Sequence, residues 1–406
     1  MDTNSSLPQG RSAGQDVDLP AGDAAAMGEA IDDLPVEVAQ VAIATPRQVM
    51  WWKFRKHKLA VASAIVLAFF YFIAIFADFI GPFDPNVYDA ATKFVPPMSI
   101  SFIDAEGNFS LRPGVFRRIS DRDPETLRQY WEVDTSIWYP IHFFVKGDPW
   151  KVRLLFFSIQ SDLHLFGLAE DAGEGAMYFP MGSDRLGRDM FSRIIHGARI
   201  SLSIGLVSVF LSLTLGIVLG GMSGYYGGWV DNLIQRLIEF IRSIPSLPLW
   251  MALSAALPPE WPQEWRYFGI TIILSAIGWT GLGRQVRGRF LSLRSEDFVL
   301  AARLNGAKDG RIILRHMVPS FTSHIIASLT LSIPGIILAE TSLSFLGLGL
   351  RQPVISWGVL LQEAQNIRTV ALSPWLLLPG LAVVVAVLAF NFLGDGLRDA
   401  ADPFSR

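Results

Sequence analysis

Long apolar stretches alternate with polar and charged segments along most of this chain. A helix needs about 20 predominantly apolar residues to cross a bilayer core of roughly 30 Å. Six stretches of suitable character follow one another at about 59–80, 198–222, 233–257, 267–283, 322–347 and 375–394. The third carries Arg236, Glu239 and Arg242 in its first turns, so we expect it to begin at the membrane surface and to bend at Pro245 and Pro248. The pattern predicts an all-α polytopic membrane protein with six transmembrane helices.

The segment between the first two predicted helices, residues 81–196, is too long for a plain connector, because structureless loops above roughly 15 residues are uncommon in compact domains. Apolar residues alternate with polar ones at 137–145, and a second strand-like run covers 151–159. Such runs are typical of strands, and Gly-Asp-Pro at 147–149 is typical of a turn. We therefore expect an enlarged, partly β insertion between helices 1 and 2.

Residues 1–46 contain no aromatic residue and are rich in Asp, Ala, Gly, Ser and Pro. Such a segment buries too little apolar surface to offset the entropy of ordering it, so we expect a disordered tail. No small-residue cleavage pattern follows the first apolar run, which argues against a signal peptide. Residues 47–80 are therefore interpreted as a short polar segment followed by the first transmembrane helix.

Basic residues indicate which side of the membrane is cytoplasmic, since Lys and Arg are enriched in cytoplasmic loops. Four precede the first predicted helix: Lys53, Arg55, Lys56 and Lys58. Eight more lie in the connection between helices four and five, residues 284–321: Arg284, Arg287, Arg289, Arg294, Arg303, Lys308, Arg311 and Arg315. Both groups predict cytoplasmic termini, an external insertion at 81–196, and a helical core at 197–406 whose loop 284–321 faces the cytoplasm.

The composition supports a membrane protein. Hydrophobic residues make up 51% of the chain and charged residues only 17%, whereas soluble domains carry about 25% charged residues. A net charge of −3 argues against a nucleic-acid binder, which carries clustered basic charge. The absence of cysteine excludes disulfides, thiolate metal sites and thiol nucleophiles.

No catalytic, metal or cofactor site is predicted in this chain. The six histidines are scattered without metal-binding spacing, and no Gly-Lys-Ser/Thr phosphate loop is present. The glycine-rich string 278–283 ends a predicted transmembrane helix, without the preceding strand that a nucleotide site needs. Ionisable residues cluster at the ends of the predicted helices, which argues against an ion-coupled secondary transporter. A membrane-embedded hydrolase would need a nucleophile and base, and none are juxtaposed.

Three glycines, Gly216, Gly220 and Gly224, repeat every four residues and so share one helical face. Small residues at this spacing let another helix approach closely. The partner helix is either in the same subunit or in a neighbouring one, and the sequence leaves both open.

The cytoplasmic loop contains a predicted helix at 296–307, with an acidic start and a glycine end. Phe298, Ala301, Ala302 and Asn305 lie near one face at spacings of three and four. The small alanines leave a shallow ridge that fits a groove in another protein, although an unpartnered interfacial helix would show the same pattern. A second, basic helical piece follows at 309–316 and is expected to end at Pro319.

This loop resembles the cytoplasmic loop of binding-protein-dependent ABC importer permeases, which reads Glu-Ala-Ala, three residues, Gly, nine residues, Ile, one residue, Leu-Pro. Here Ala301-Ala302, Gly306 and Pro319 match that pattern. Leu300 replaces the Glu, and His316 and Val318 stand where Ile and Leu are expected; the Arg-His-x-x-Pro ending is similar to the peptide-type branch.

Further motifs in order resemble the second, C-type permease of the dipeptide, oligopeptide and nickel systems. They are Phe54–Lys58, Gly81–Pro85, Met181–Asp189, Gly197–Leu202, Gly227–Asp231, Leu343–Gly349 and Gly394–Ala400. The resemblance covers nearly all of 50–406 except the enlarged part near 86–178.

The resemblance implies a subunit of the cell inner membrane that forms a heterodimer with a homologous permease. Two cytoplasmic ATPase subunits would bind ATP and Mg²⁺, and a periplasmic solute-binding protein would deliver the cargo. Coupling contacts would come from Ala301, Ala302 and Gly306, rimmed by Glu296, Asp297 and Arg303. A peptide is the favoured cargo, with an oligosaccharide, opine or similar solute as the alternative. The insertion would rest on the binding protein, cap the pathway or pack on the partner permease.

Overall fold

The computed structural model describes residues 46–125, 129–154, 157–169, 172–173 and 176–401. The expected tail at 1–46 lies outside these residues except for Pro46. The chain divides between Lys53 and Phe54, and the contacts described below lie within the second unit.

Helices dominate the described residues. They are α1 Pro46–Lys56, α2 Lys58–Ile75, α3 Ala77–Ile80, α4 Met190–Tyr226, α5 Gly228–Ser243, α6 Ser246–Ala255, α7 Gln263–Leu293, α8 Asp297–Leu304, α9 Asp309–Arg311, α10 Val318–Ser320, α11 Thr322–Phe345, α12 Trp357–Leu361, α13 Ile367–Leu372 and α14 Leu378–Ala401. A π-helical turn, Ile312–Met317, joins α9 to α10, and 3₁₀ turns cover Ala90–Thr92, Gln362–Gln365 and Pro374–Leu377.

Among the described residues, four helical stretches are long and apolar enough to cross a membrane: Lys58–Ile75, Met190–Tyr226, Ile325–Phe345 and Pro374–Ala401. They correspond to the first, second, fifth and sixth predicted spans. The predicted third span is divided into α5 and α6, because Pro245 has no N–H to continue the α5 ladder. The predicted fourth span lies inside the 31-residue α7. A polytopic helical fold is thus present, and the count of six spans stays a prediction.

The helices enclose one main apolar core. Helix α4 packs along α7, while α14 packs on both α2 and α11. Leu202 of α4, Ile337 of α11 and Phe390 of α14 meet there, and Trp357 of α12 is completely buried against them. The core therefore joins all four candidate spans.

The insertion contains a four-stranded antiparallel sheet in the order β1 Ser101–Ile103, β2 Phe109–Arg122, β3 Gln129–Leu154 and β4 Phe157–Leu168. The expectation of a turn at 147–149 was wrong. Strand β3 continues through these residues, and its register with β4 slips between Lys146 and Trp150, so the extra residues form a bulge. The run 151–159 is not one strand. It contains the end of β3 and the start of β4, and Lys151 of β3 pairs with Gln160 of β4.

Candidate functional site: the inner helical loop

The predicted loop helix is present as α8, and it has an inner and an outer face. Val299 is fully buried in a cluster with Phe290 of α7 and Ile312 of the π-helical turn, and Ala302 packs on the same cluster. The structure therefore turns Ala302 towards the chain's own core. Ala301 lies exposed.

Two leucines form the outer face of α8. Leu304 is 90% exposed and Leu300 is 42% exposed, and their spacing of four residues places them one turn apart. Burying large apolar side chains is favourable in water, so an exposed leucine pair indicates a contact surface. Leu300 was predicted only as a substitution in the family pattern and Leu304 was not predicted as a site residue, although the (i, i+4) spacing of the two leucines was available as a signal.

Arg303 attaches α8 to the end of α4. Its Nη2 donates to the Tyr225 hydroxyl at 3.2 Å, and that hydroxyl donates to Asp309 Oδ1 at 2.7 Å. The guanidinium carbon of Arg303 also lies 5.5 Å from the centre of the Tyr225 ring, within cation–π range. Arg303 is therefore a tether to the permease helices as well as a candidate rim residue.

The remaining predicted loop residues mark its ends. Glu296 is the N-cap of α8 and Asp297 begins it, both exposed, where negative charge suits the helix dipole. Gly306 follows the helix with φ of +73° and open space around it, a backbone conformation that favours glycine. His316 is half-buried in the π-helical turn. The helical segment ends one residue past the expected Pro319, at Ser320, because a proline needs no N–H in the first turn of α10.

A second tether joins α7 to the first turn of α5. Arg287 donates to both oxygens of Asp231, each at 2.6 Å, and Ser223 also donates to Asp231. The hydrogen bonds from Arg287 hold the pKa of the Asp231 carboxyl below its usual value. Such bidentate pairs are geometrically specific, so the C-terminal parts of α4 and α7 are held to the start of α5.

The three predicted packing glycines all face α7. A Cβ on Gly220 would lie 2.4 Å from the carbonyl oxygen of Gly283, and one on Gly224 would lie 2.6 Å from Cβ of Phe290. At Gly216 the nearest atom is a Leu282 carbon at 3.0 Å. The structure thus provides a partner helix for this stripe within the same chain.

Just before the first residue of α4, side chains of the motif Met181–Asp189 form a buried charge cluster, which was not among the predicted site residues. Arg188 contacts Asp184 at 2.7 Å and Glu363 at 3.1 Å. Asp189 caps α4 by accepting from the N–H of Ser192 at 2.7 Å. Burial raises the pKa of the Asp189 carboxyl to about 6. Glu363 lies 175 residues from Arg188, so no local pattern could have paired them.

Glu340 corrects the expectation that ionisable residues lie only near the span ends. It lies within the candidate span of α11 and is completely buried. Ser344 and Ser356 donate to its Oε1, each at 2.8 Å, and Ser201 donates to Oε2 at 3.4 Å. These hydroxyls join α4, α11 and the segment before α12 through one carboxyl group.

Two family models match the chain. Residues 216–406 match the binding-protein-dependent transport system inner membrane component, and residues 45–97 match the N-terminal transmembrane domain of oligopeptide transport permease C. The sheet of the insertion lies between these two matched regions.

Characterised relatives are similar over most of their own length. The oligopeptide transport system permease protein OppC of Salmonella typhimurium is 40% identical over 272 residues, 66% of this chain and 84% of the relative. OppC of Haemophilus influenzae is 41% identical over 57% of this chain and 72% of its own. The dipeptide transport system permease protein DppC of Bacillus subtilis is 38% identical over 55% of this chain and 68% of its own length.

A solved chain of the inward-facing MetNI methionine ABC transporter is 16% identical with a TM-score of 0.41, covering 52% of this chain and 98% of that one. The assignment depends instead on the sequence relatives and on the two family models. The chain belongs to the family of binding-protein-dependent transport system inner membrane components, in the branch of the oligopeptide and dipeptide permeases.

Proposed function

We propose that this chain is the permease subunit of an ABC importer that passes peptides from a periplasmic binding protein to the cytoplasm. It lies in the cell inner membrane with both termini in the cytoplasm and works as a heterodimer with a homologous permease. Two ATPase subunits bind ATP and Mg²⁺ and hydrolyse the nucleotide, so this chain is not itself an enzyme and holds no cofactor. The names of the oligopeptide and dipeptide relatives support the peptide cargo.

One observation carries the coupling role: α8 exposes Leu300 and Leu304 while Val299 and Arg303 hold its other side to the permease. A docked ATPase would contact the leucine face, with the exposed Ala301 and Gly306 beside it. Glu296 and Asp297 lie at the solvent-exposed start of the helix and would form the polar rim.

Movement of α8 would reach the membrane helices through two contacts of α8 itself. The Arg303–Tyr225 contact leads to the end of α4, and the buried Val299 cluster leads to α7. The close glycine packing of α4 on α7 then makes these two helices move as a unit. ATP binding can shift the pathway only if the ATPases bind the two permease states with different affinity, and this rigid connection provides the means.

Two alternatives remain in the proposal. The same machinery could carry an oligosaccharide, an opine or a similar solute. An ion-coupled secondary transporter, the rival of a different class, would use an intramembrane carboxyl group such as Glu340. The three serine hydroxyls on Glu340 favour a structural role for that residue.

The coupling assignment is tested by Gly306→Arg in the assembled transporter. An arginine there adds a strained, bulky side chain next to the leucine face and is expected to abolish stimulation of ATP hydrolysis by the permease, with membrane insertion intact. Gly107→Arg is the matched control, because Gly107 also has a positive φ, +84°, with open space around it, but lies in the turn between β1 and β2. Normal stimulation with Gly306→Arg would show that the docking assignment is wrong.

A further inference from the structure

Phe143 and Phe144 form an exposed aromatic pair on β3. They are 62% and 64% exposed, although consecutive side chains of a strand normally point to opposite faces of the sheet. Phe144 has φ of +56°, in the left-handed region that a bulky residue rarely adopts. Phe143 pairs with Phe166 of β4, so the irregular backbone lies within a paired hairpin. A strained backbone that keeps two aromatic rings in the open is a candidate contact site.

The hairpin of β3 and β4 is fixed to the outer end of the first candidate span. His164 of β4 is buried, and its Nδ1 lies 2.5 Å from the carbonyl oxygen of Gly81, directly after α3. The other ring nitrogen lies 2.9 Å from the Asp148 carbonyl oxygen. The N–H of Asp84 donates to Asp148 Oδ2 at 2.9 Å. These contacts set the height of the hairpin relative to α2.

That height coincides with the membrane surface. A helix rises about 1.5 Å per residue, so the 18 residues of the candidate span Lys58–Ile75 cover roughly 27 Å, close to the thickness of the hydrocarbon core. Phe79 then lies at the outer boundary, and the Phe144 ring is 6.3 Å from the Phe79 ring. Phe72 of α2 and Phe76, directly after it, are exposed with their rings 4.7 Å apart, and lipid would cover them once α2 spans the bilayer. The aromatic pair therefore continues the lipid-facing surface of the first span.

We propose that Phe143 and Phe144 bind the membrane surface, with their rings in the interfacial layer of the outer leaflet. Aromatic side chains are enriched at this depth. Lys146, exposed on the same strand, can extend its ammonium group towards lipid phosphates. The insertion is thereby held against the bilayer beside the first span, and it does not project freely into the periplasm. This inference needs the membrane placement of α2 and does not depend on the cargo or on ATP coupling.

The test uses the absence of cysteine in the chain. Single cysteines are introduced as Phe143→Cys and Phe144→Cys in the full-length chain, spin-labelled, and placed in nanodiscs of phosphatidylethanolamine and phosphatidylglycerol. Collision rates are measured with oxygen, which concentrates in the bilayer, and with a nickel chelate, which stays in water. Leu111→Cys provides the aqueous reference because Leu111 is 90% exposed on β2, and Phe72→Cys provides the lipid reference.

We expect the ratio of oxygen to nickel collisions at positions 143 and 144 to exceed that at 111 several-fold and to approach that at 72. A ratio equal to that at 111 would place the pair in water and overturn the proposal. Loss of collisions with both reagents would also overturn it, because the pair would then be covered by protein. If Phe144→Cys fails to assemble because of its strained backbone, the measurement at 143 decides.

Discussion

Leu304→Ala should weaken ATPase binding while leaving the permease itself stable. Leu304 is 90% exposed, so removing its side chain beyond Cβ creates no cavity in this chain. Burying a whole leucine side chain contributes about 1.5–3 kcal/mol. With the Cβ retained, we expect a loss of about 1–2 kcal/mol at the ATPase contact, which corresponds to roughly 5- to 30-fold weaker binding.

The assay titrates the ATPase subunits against the permease heterodimer in nanodiscs and measures stimulated ATP hydrolysis. Half-maximal stimulation should require roughly 5- to 30-fold more ATPase for Leu304→Ala. Leu111→Ala is the control, since Leu111 is equally exposed but lies on the sheet. An unchanged titration with Leu304→Ala, or an equal shift with Leu111→Ala, would refute the assignment of the outer face of α8.

Three further predictions concern stability. Gly220→Ala should destabilise the permease by about 1–3 kcal/mol through overpacking against the α7 backbone, as measured by thermal unfolding in detergent. The control is Gly335→Ala, which should be neutral or stabilising because Gly335 has open space around it. Asp231→Ala should lower the free energy of unfolding by about 1.5–3 kcal/mol, because it leaves Arg287 without its charged acceptor. A variant that melts at the same temperature as the wild type would contradict this. Asp189→Asn should raise the melting temperature at pH 7.5 and lose that advantage towards pH 4, as followed by a pH series of melts.

The sign of the Asp189 effect follows from its raised pKa. The folded-state value of about 6 exceeds the unfolded value of about 3.9, so folding disfavours the ionised form. The contribution of Asp189 to the free energy of unfolding is therefore fully present below pH 4. It falls by about 2–3 kcal/mol in total as the pH rises through 6. Asn keeps the side-chain oxygen that caps α4 and does not ionise. A difference between variant and wild type that is the same at every pH would contradict this account.

The sequence predicted the features that depend on local pattern. Four spans have continuous apolar character, so hydropathy was enough to predict them. The loop helix has acidic residues at its start and Gly306 at its end, so its capping signals were enough to predict it. The bend expected at Pro245 is a break that divides the third predicted span into α5 and α6, whereas Pro248 lies inside α6. The supposed turn at 147–149 is a bulge, because β3 pairs with β4 both before it, at Lys146, and after it, at Trp150.

Long-range contacts could not be read from the sequence. Arg287 and Asp231 are 56 residues apart, and either could have faced solvent or a partner. The loop helix shows the same limit at closer range. Its alanines suggested the docking ridge, but only the packing of Val299 on Phe290 decides which face of α8 is left for a partner, and that face contains Leu300 and Leu304.

The most direct test of the account is transport by the reconstituted complex. This chain, its homologous permease, the two ATPases and the binding protein are placed in proteoliposomes, and uptake of a labelled peptide is measured. We predict uptake that requires ATP hydrolysis, the ATPases and the binding protein, and that is lost with Gly306→Arg. Peptide uptake driven by an ion gradient without ATP or ATPase subunits would contradict the account.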